Sequence, residues 1–385
     1  MRVQRLFSTF TVVVFVGVMV TSLSGQGPSV DNRRDGQRLF ERETFGGNGR
    51  TCLTCHSRKT GTVSPQDAQA RFQANPQDPL FVHDGSDDGQ GHGVTRMLAD
   101  ATILMNIPLP PNVRLADSTD RFVILRRGIP TTLNTPALDP VLMLDGRQPT
   151  LELQAGGAIH DHAQATEIPT LNELELIKRF QLTETFFSSA ALRNLALGGP
   201  SPRLPRGSTA SERRGRRFFE DVPPDPTDVR PGLCSHCHSG SLMNQTNEFA
   251  PQFFGVPVRT GTRFQDVFVS FFNQANNPVR EFIFNQGGIE IPVSSPDPGR
   301  ALITGIVDGP GIGDGPPTFE NLNAFKIPQL RGIRHTAPYF HDNSAKTLED
   351  VAAHYTRFFN FVAPGIIALT PQDEADIVAF MRLLD

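Results

Sequence analysis

A chain of 385 residues is longer than one hydrophobic core usually organises, so two domains of ordinary size are expected. The formal net charge of −4 gives no basic surplus for nucleic acid or acidic lipid and excludes both as obvious partners. Thirty-four glycines and 32 prolines, set against a normal hydrophobic share of 38 %, point to long ordered loops rather than to disorder.

The N-terminus reads as an export leader over residues 1–24, with Arg2 and Arg5, an apolar run from Phe10 to Val20 and the small-residue stretch Ser22-Leu23-Ser24. That run is too short to span a bilayer comfortably, so a cleaved leader and no stable membrane anchor are expected, with the mature chain periplasmic or otherwise exported.

All four cysteines fall in two units, Cys52-Leu53-Thr54-Cys55-His56 and Cys234-Ser235-His236-Cys237-His238. Small disulfide loops or a zinc site also use paired cysteines, but neither needs a histidine directly after the second cysteine in both copies. Covalent haem c does: two thiols add across the haem vinyl groups, and the adjacent histidine reaches the iron. Cys52, Cys55, Cys234 and Cys237 are therefore expected to hold two haems, with His56 and His238 as proximal ligands.

A helical segment precedes each motif, Gly36-x-x-Leu39-Phe40 and Gly215-x-x-Phe218-Phe219, and the match is an internal repeat. Between them, Gly198-Gly199-Pro200-Ser201-Pro202 through Pro205 is the strongest linker signal, which divides the mature chain into 25–200 and 201–385. Near the end, Thr370 reads as an N-cap with Pro371 at the first helical position and Asp373 in the first turn; Ile377, Phe380, Met381 and Leu384 follow at helical spacing. Few runs alternate. The expected fold is mainly α: two loop-rich, c-type cytochrome-like domains, each holding one covalent haem.

The segment from Phe325 to Gly332, with Thr336-Ala337-Pro338-Tyr339-Phe340-His341-Asp342 and Thr347-Leu348-Glu349-Asp350, resembles the C-terminal domain of bacterial dihaem cytochrome c peroxidases and of MauG. Leu144-Asp145-Gly146-Arg147 and both haem motifs extend the resemblance over most of the mature chain. Residues from about Thr60 to Arg127 match poorly and look like an insertion. The resemblance implies that the first haem reacts with hydrogen peroxide and that the second stores and delivers an electron.

Around the first haem the family pattern is altered. The family glutamine is present as Gln154, but Leu144 stands at its tryptophan, Ala158 at its proline and Gln164 at its acid/base glutamate. An amide cannot carry a proton, so Glu167, His160 and His162 are the candidates for that role. Each of the two histidines is as readily read as a solvated or supporting residue. His83, His92, Met97 and Met105 are equal candidates for a sixth ligand to the first haem.

The resemblance further implies Tyr355 as distal ligand of the second haem, where the peroxidases carry methionine and MauG tyrosine. His354 is its rival, and a tyrosine simply packed on its helix is the plain alternative. A calcium ion between the domains would be held by carbonyls of Thr336 and Pro338, although Gly128 stands where the family has a further asparagine ligand. The acidic loop from His83 to His92 lacks the closing glutamate of a calcium loop and reads as a surface or haem-edge loop.

The leading expectation is a dihaem oxidoreductase that reduces hydrogen peroxide, or uses it to oxidise a partner protein; a dihaem electron carrier is the alternative. The partner is a small soluble electron-transfer protein or an oxidisable protein substrate.

Overall fold

The computed structural model describes residues 30–250, 258–308 and 319–385. The leader therefore lies outside the described residues.

In the first half, α1 (Val30–Arg42) leads to the single-turn α2 (Cys52–Cys55), followed by α3 (Pro65–Ala74), α4 (Thr95–Asp100) and α5 (Thr135–Leu138). Then come α6 (Leu151–Asp161), α7 (Leu171–Gln181) and α8 (Ala190–Ala196). The second half runs through α9 (Ala210–Arg217), α10 (Val269–Phe272), α11 (Ala301–Thr304), α12 (Leu348–Val362) and α13 (Pro371–Met381). Among the described residues no helix is long and apolar enough to cross a membrane.

The internal repeat is larger than the pair of helices ahead of the haem motifs. α1 packs on α7 and α9 packs on α13. A Cβ on Gly36 would overlap the Leu176 carbonyl and lie 3.0 Å from Phe180 Cβ, while one on Gly215 would overlap the Asp376 carbonyl and lie 2.9 Å from Phe380 Cβ. Glycine lets each pair of backbones approach where any side chain would hold them apart. Both receiving helices begin alike: the Thr170 hydroxyl accepts from the Glu173 amide and the Thr370 hydroxyl from the Asp373 amide, with each carboxylate returning to the cap. The terminal helix expected from Thr370 is thus present, with Ile377, Phe380, Met381 and Leu384 buried. Its counterpart from Thr170 to Phe180 carries the same spacing and completes the first unit.

The sheet content exceeds what the sequence suggested. β1 (Thr102–Pro108) and β3 (Phe122–Gly128) pair antiparallel. β2 (Val113–Leu115), in the connection between them, pairs with β5 (Arg280–Gln286), placing Val113 opposite Phe284 and Leu115 opposite Phe282. β6 (Ile289–Ser295) completes that sheet, and β4 (Phe264–Gln265) pairs with β7 (Phe325–Lys326). The segment read as an insertion is therefore a folded element. Its inward residues Ile107, Val113, Leu115, Val123 and Leu125 share one core with Phe282, Phe284, Val293 and Leu302 from the second half. The alternation that builds it is real but short, as in the buried-exposed pattern of β3.

A buried ion cluster also joins the halves. Arg127 donates to both carboxylate oxygens of Asp297 at 2.8 Å and pairs with Asp145. Burial alone would lower Arg127, but the two carboxylates outweigh it and hold the guanidinium charged. Its guanidinium lies 5.3 Å from the Phe325 ring centre, and His341 stacks on Phe325 at 3.6 Å.

Candidate haem sites

Two adjoining cavities lie against the two Cys-x-x-Cys-His units. The first has about 1320 Å³ of space free of protein atoms, part of it open to solvent, and is walled by Cys52, Cys55 and His56. The second has about 1870 Å³ and is walled by Cys234, Cys237 and His238. His56 Nδ1 meets the Gly61 carbonyl at 2.8 Å, and His238 Nδ1 meets the Met243 carbonyl at 2.9 Å. In both units the carbonyl fixes Nδ1 as the protonated nitrogen and leaves Nε2 as the ligating one. Burial pushes His238 down to about 4 and lowers His56 as well, so both rings are neutral donors.

The residues fit haem c. Each cavity brings both thiols and the imidazole of its own Cys-x-x-Cys-His unit to one wall, as covalent attachment and iron ligation require. All four cysteines are free, and burial pushes Cys52 and Cys237 up to about 12, with Cys55 and Cys234 also raised. Neutral thiols on an apolar wall suit addition to the haem vinyl groups. Among the described residues no group of three or more His, Cys, Asp or Glu side chains converges on a metal position, which the zinc reading requires.

The wall of the first cavity includes Gln154, Ala158 and His162, one helical face at the end of α6. His162 Nδ1 lies 2.5 Å from Asp84 Oδ2, and the other oxygen of Asp84 pairs with Arg50. Burial alone would raise the Asp84 carboxyl, but the His162 hydrogen bond and the Arg50 charge reverse that and hold it below the usual range. Glu167 and His160 do not line this cavity. Glu167 is exposed, its backbone bonded to the Phe45 carbonyl, and the His160 side chain is 83 % exposed and turned to Asp161. Gln164, also exposed, accepts from Asn48 at 3.2 Å.

Of the candidate sixth ligands, only Met105 lines the first cavity. Met97 is buried in the sheet core, His92 is exposed and paired with Asp88, and His83 sits in the turn below Ser86.

In the second cavity Tyr355 lines the wall with Thr336 and Pro338. Burial pushes the Tyr355 hydroxyl well up, with Cys237 and Cys234 adding to the rise. His354, one position away, is not on that wall; its Nε2 meets the Val267 carbonyl at 2.9 Å. Beside Gly128 the Asn343 side chain fills the space a side chain would need, donating to the Asp100 and Ala101 carbonyls.

The cavities share a wall. Gly128, Ile129, Pro130, Thr131, Thr135, Leu144 and Lys326 line both. Leu144 thus stands between them, and Lys326 is anchored to Asp139 at 3.1 Å and the Val141 carbonyl at 3.0 Å. Sequence reasoning missed the Arg50-Asp84 support of His162. The only signals were an arginine just ahead of Cys52 and an aspartate in a glycine-rich acidic loop.

Paired cavities of this kind, each with its thiols and a backbone-oriented imidazole, suit two haem c groups, and the chain resembles the bacterial dihaem cytochrome c peroxidases and MauG. A stretch of 71 residues is 34 % identical to cytochrome-c peroxidase IdrP1 of Denitromonas iodatirespirans, covering 17 % of this chain and 19 % of that protein. The chain thus matches about a fifth of the length of this curated relative. Similar solved structures include a MauG-like protein associated with microbial copper homeostasis (19 % identity, 94 % of this chain and 90 % of that one, TM-score 0.49). Another is the diheme peroxidase BthA from Burkholderia thailandensis (15 % identity, 93 % and 86 %, TM-score 0.49). No family model matches the chain.

Proposed function

We propose that this chain is an exported dihaem oxidoreductase of the cytochrome c peroxidase and MauG kind. Residues 25–200 form the peroxide-reactive haem domain and residues 201–385 the electron-storing one. The observation that carries this reading is that His162 and Gln154 line the same cavity as the backbone-oriented His56.

Haem c, when bound, supplies an iron that exchanges electrons and a coordination position for peroxide. The chain supplies the protons and the orientation. His162 accepts a proton from one peroxide oxygen and returns it to the other, so that the O–O bond breaks with water as the leaving group. The Gln154 amide donates a hydrogen bond that holds the peroxide in place, but it cannot replace the proton carrier. Two electrons and two further protons complete the reduction to two waters. The electrons come from a small soluble electron-transfer protein or from an oxidisable protein substrate.

A Tyr355 oxygen on the iron of the second haem would favour the second kind of partner. An anionic oxygen ligand stabilises oxidised iron and lowers the potential, which suits the storing of oxidising equivalents better than uptake from an ordinary high-potential donor. Calcium enters this proposal only through the carbonyls of Thr336 and Pro338, and its test is chelation followed by metal analysis.

His162 also favours a second reading, in which its imidazole ligates the first iron and the protein is an electron carrier. EPR of the oxidised protein separates the two. A high-spin ferric signal that peroxide abolishes supports the enzyme; two low-spin signals indifferent to peroxide support the carrier.

A further inference from the structure

The hydrogen bonds around His162 reach back to Arg50, two positions ahead of Cys52. Arg50 uses its whole guanidinium: Nε donates to the Pro79 carbonyl at 2.8 Å, Nη2 to the Leu80 and Val82 carbonyls at 3.1 and 2.6 Å, and Nη1 to the His162 carbonyl at 3.1 Å and to Asp84. It thereby clasps the turn that presents Asp84 and the end of the helix that presents His162. Arg50 is 2 % exposed and Asp84 4 %, so both are removed from solvent competition.

We infer that Asp84, held by Arg50, is the positioning residue that sets the tautomer of His162 and aims its Nε2 into the first cavity. An ionised carboxylate only accepts hydrogen bonds. With one Asp84 oxygen taken by Arg50 and the other 2.5 Å from His162 Nδ1, the ring must carry its hydrogen on Nδ1. Nε2 then keeps its lone pair for the cavity that His162 lines, as a proton acceptor requires. The carboxylate also stabilises the imidazolium formed when the ring takes a proton. Asp84 reaches His162 from a turn 78 positions earlier in the chain, so the pair is assembled by the fold. The inference rests on His162 being the proton carrier.

Cyanide binding to the oxidised, haem-loaded full-length protein tests it without turnover, because hydrogen cyanide must lose its proton to bind. Asp84→Asn keeps the shape but presents an amide in place of the carboxylate. Its cyanide association rate should fall roughly 10- to 100-fold, the usual cost of losing the partner of a functional histidine. Asp84→Glu should restore most of the rate. In a His162→Ala background, already slow, Asp84→Asn should change nothing further, and the spectrum of the second haem should stay as in the unaltered protein. A normal rate in Asp84→Asn beside a slow His162→Ala overturns the role of Asp84 and leaves His162 as the carrier. A further fall in the double variant reduces Asp84 to a packing residue and overturns the role as well. If His162→Ala binds cyanide as fast as the unaltered protein, or faster because an iron position has opened, the reading of His162 itself fails.

Discussion

Gly215 sits against the backbone of Asp376 so closely that α9 and α13 meet with no side chain between them, and Gly36 meets Leu176 in the same way. Alanine at either glycine forces the helices apart and should destabilise the haem-loaded protein by about 1–3 kcal/mol, read as a fall in its unfolding midpoint. Gly156 is the contrast: a Cβ there meets only the Leu174 methyls at 3.8 and 4.0 Å. Gly156→Ala should stabilise α6 by about 0.5–1 kcal/mol.

Tyr355 and His354 make opposite predictions. Tyr355→Phe removes the hydroxyl of a residue that lines the second cavity; if that oxygen ligates the iron of the second haem, the low-spin EPR signal of that haem should shift. His354→Gln keeps a hydrogen-bond donor for the Val267 carbonyl and should leave that signal in place. The reverse pattern reassigns the ligand to His354.

Asp266 predicts a pH dependence. Burial pushes its carboxyl from 3.8 up to about 8, against a weaker opposing bond from the Phe268 amide. The folded protein therefore keeps this proton where the unfolded chain has lost it. Its contribution is fully present below about pH 4 and is lost as pH rises toward 8. Asp266→Asn keeps the acceptor for Phe268 without the ionisation. Denaturant midpoints for that variant should fall less between pH 5 and 8 than those of the unaltered protein; parallel curves would assign the pH dependence to other groups.

Asp297→Ala leaves Arg127 with two unmet donors in a site 1 % exposed. Removing one partner of a buried pair typically costs about 3–5 kcal/mol. Because Arg127 and Asp145 come from the first half and Asp297 from the second, both haem absorption bands should respond at one transition in a thermal melt.

The two Cys-x-x-Cys-His units stood out because covalent haem attachment would need so unusual a pattern, and the terminal helix was legible because Thr370, Pro371 and Asp373 encode their own cap. The matching helix from Thr170 carries the same cap, but Leu171 stands at its first helical position, and its proline, Pro169, lies ahead of the cap where it reads as part of a turn. His162 stood in sequence as one of three equal candidates with His160 and Glu167. Only the turn of α6 and the distant Asp84 separate them, and neither can be counted off along the chain. β2 offers just Val113 and Leu115 as inward residues, too short a run to name a strand, and its partner lies far away in β5.

That pairing has a consequence for biogenesis. The core holding β1, β2 and β3 is closed by Phe282, Phe284, Val293 and Leu302, which are synthesised after both Cys-x-x-Cys-His units and far along the chain from the first. Contacts so distant in sequence form late and slowly. The half that carries the first Cys-x-x-Cys-His unit therefore cannot close this core until β5 and β6 have been made, by which point the second unit is also in place. A chain truncated before β5 should accordingly expose the apolar faces of β1 and β3 and be degraded as an unfinished intermediate.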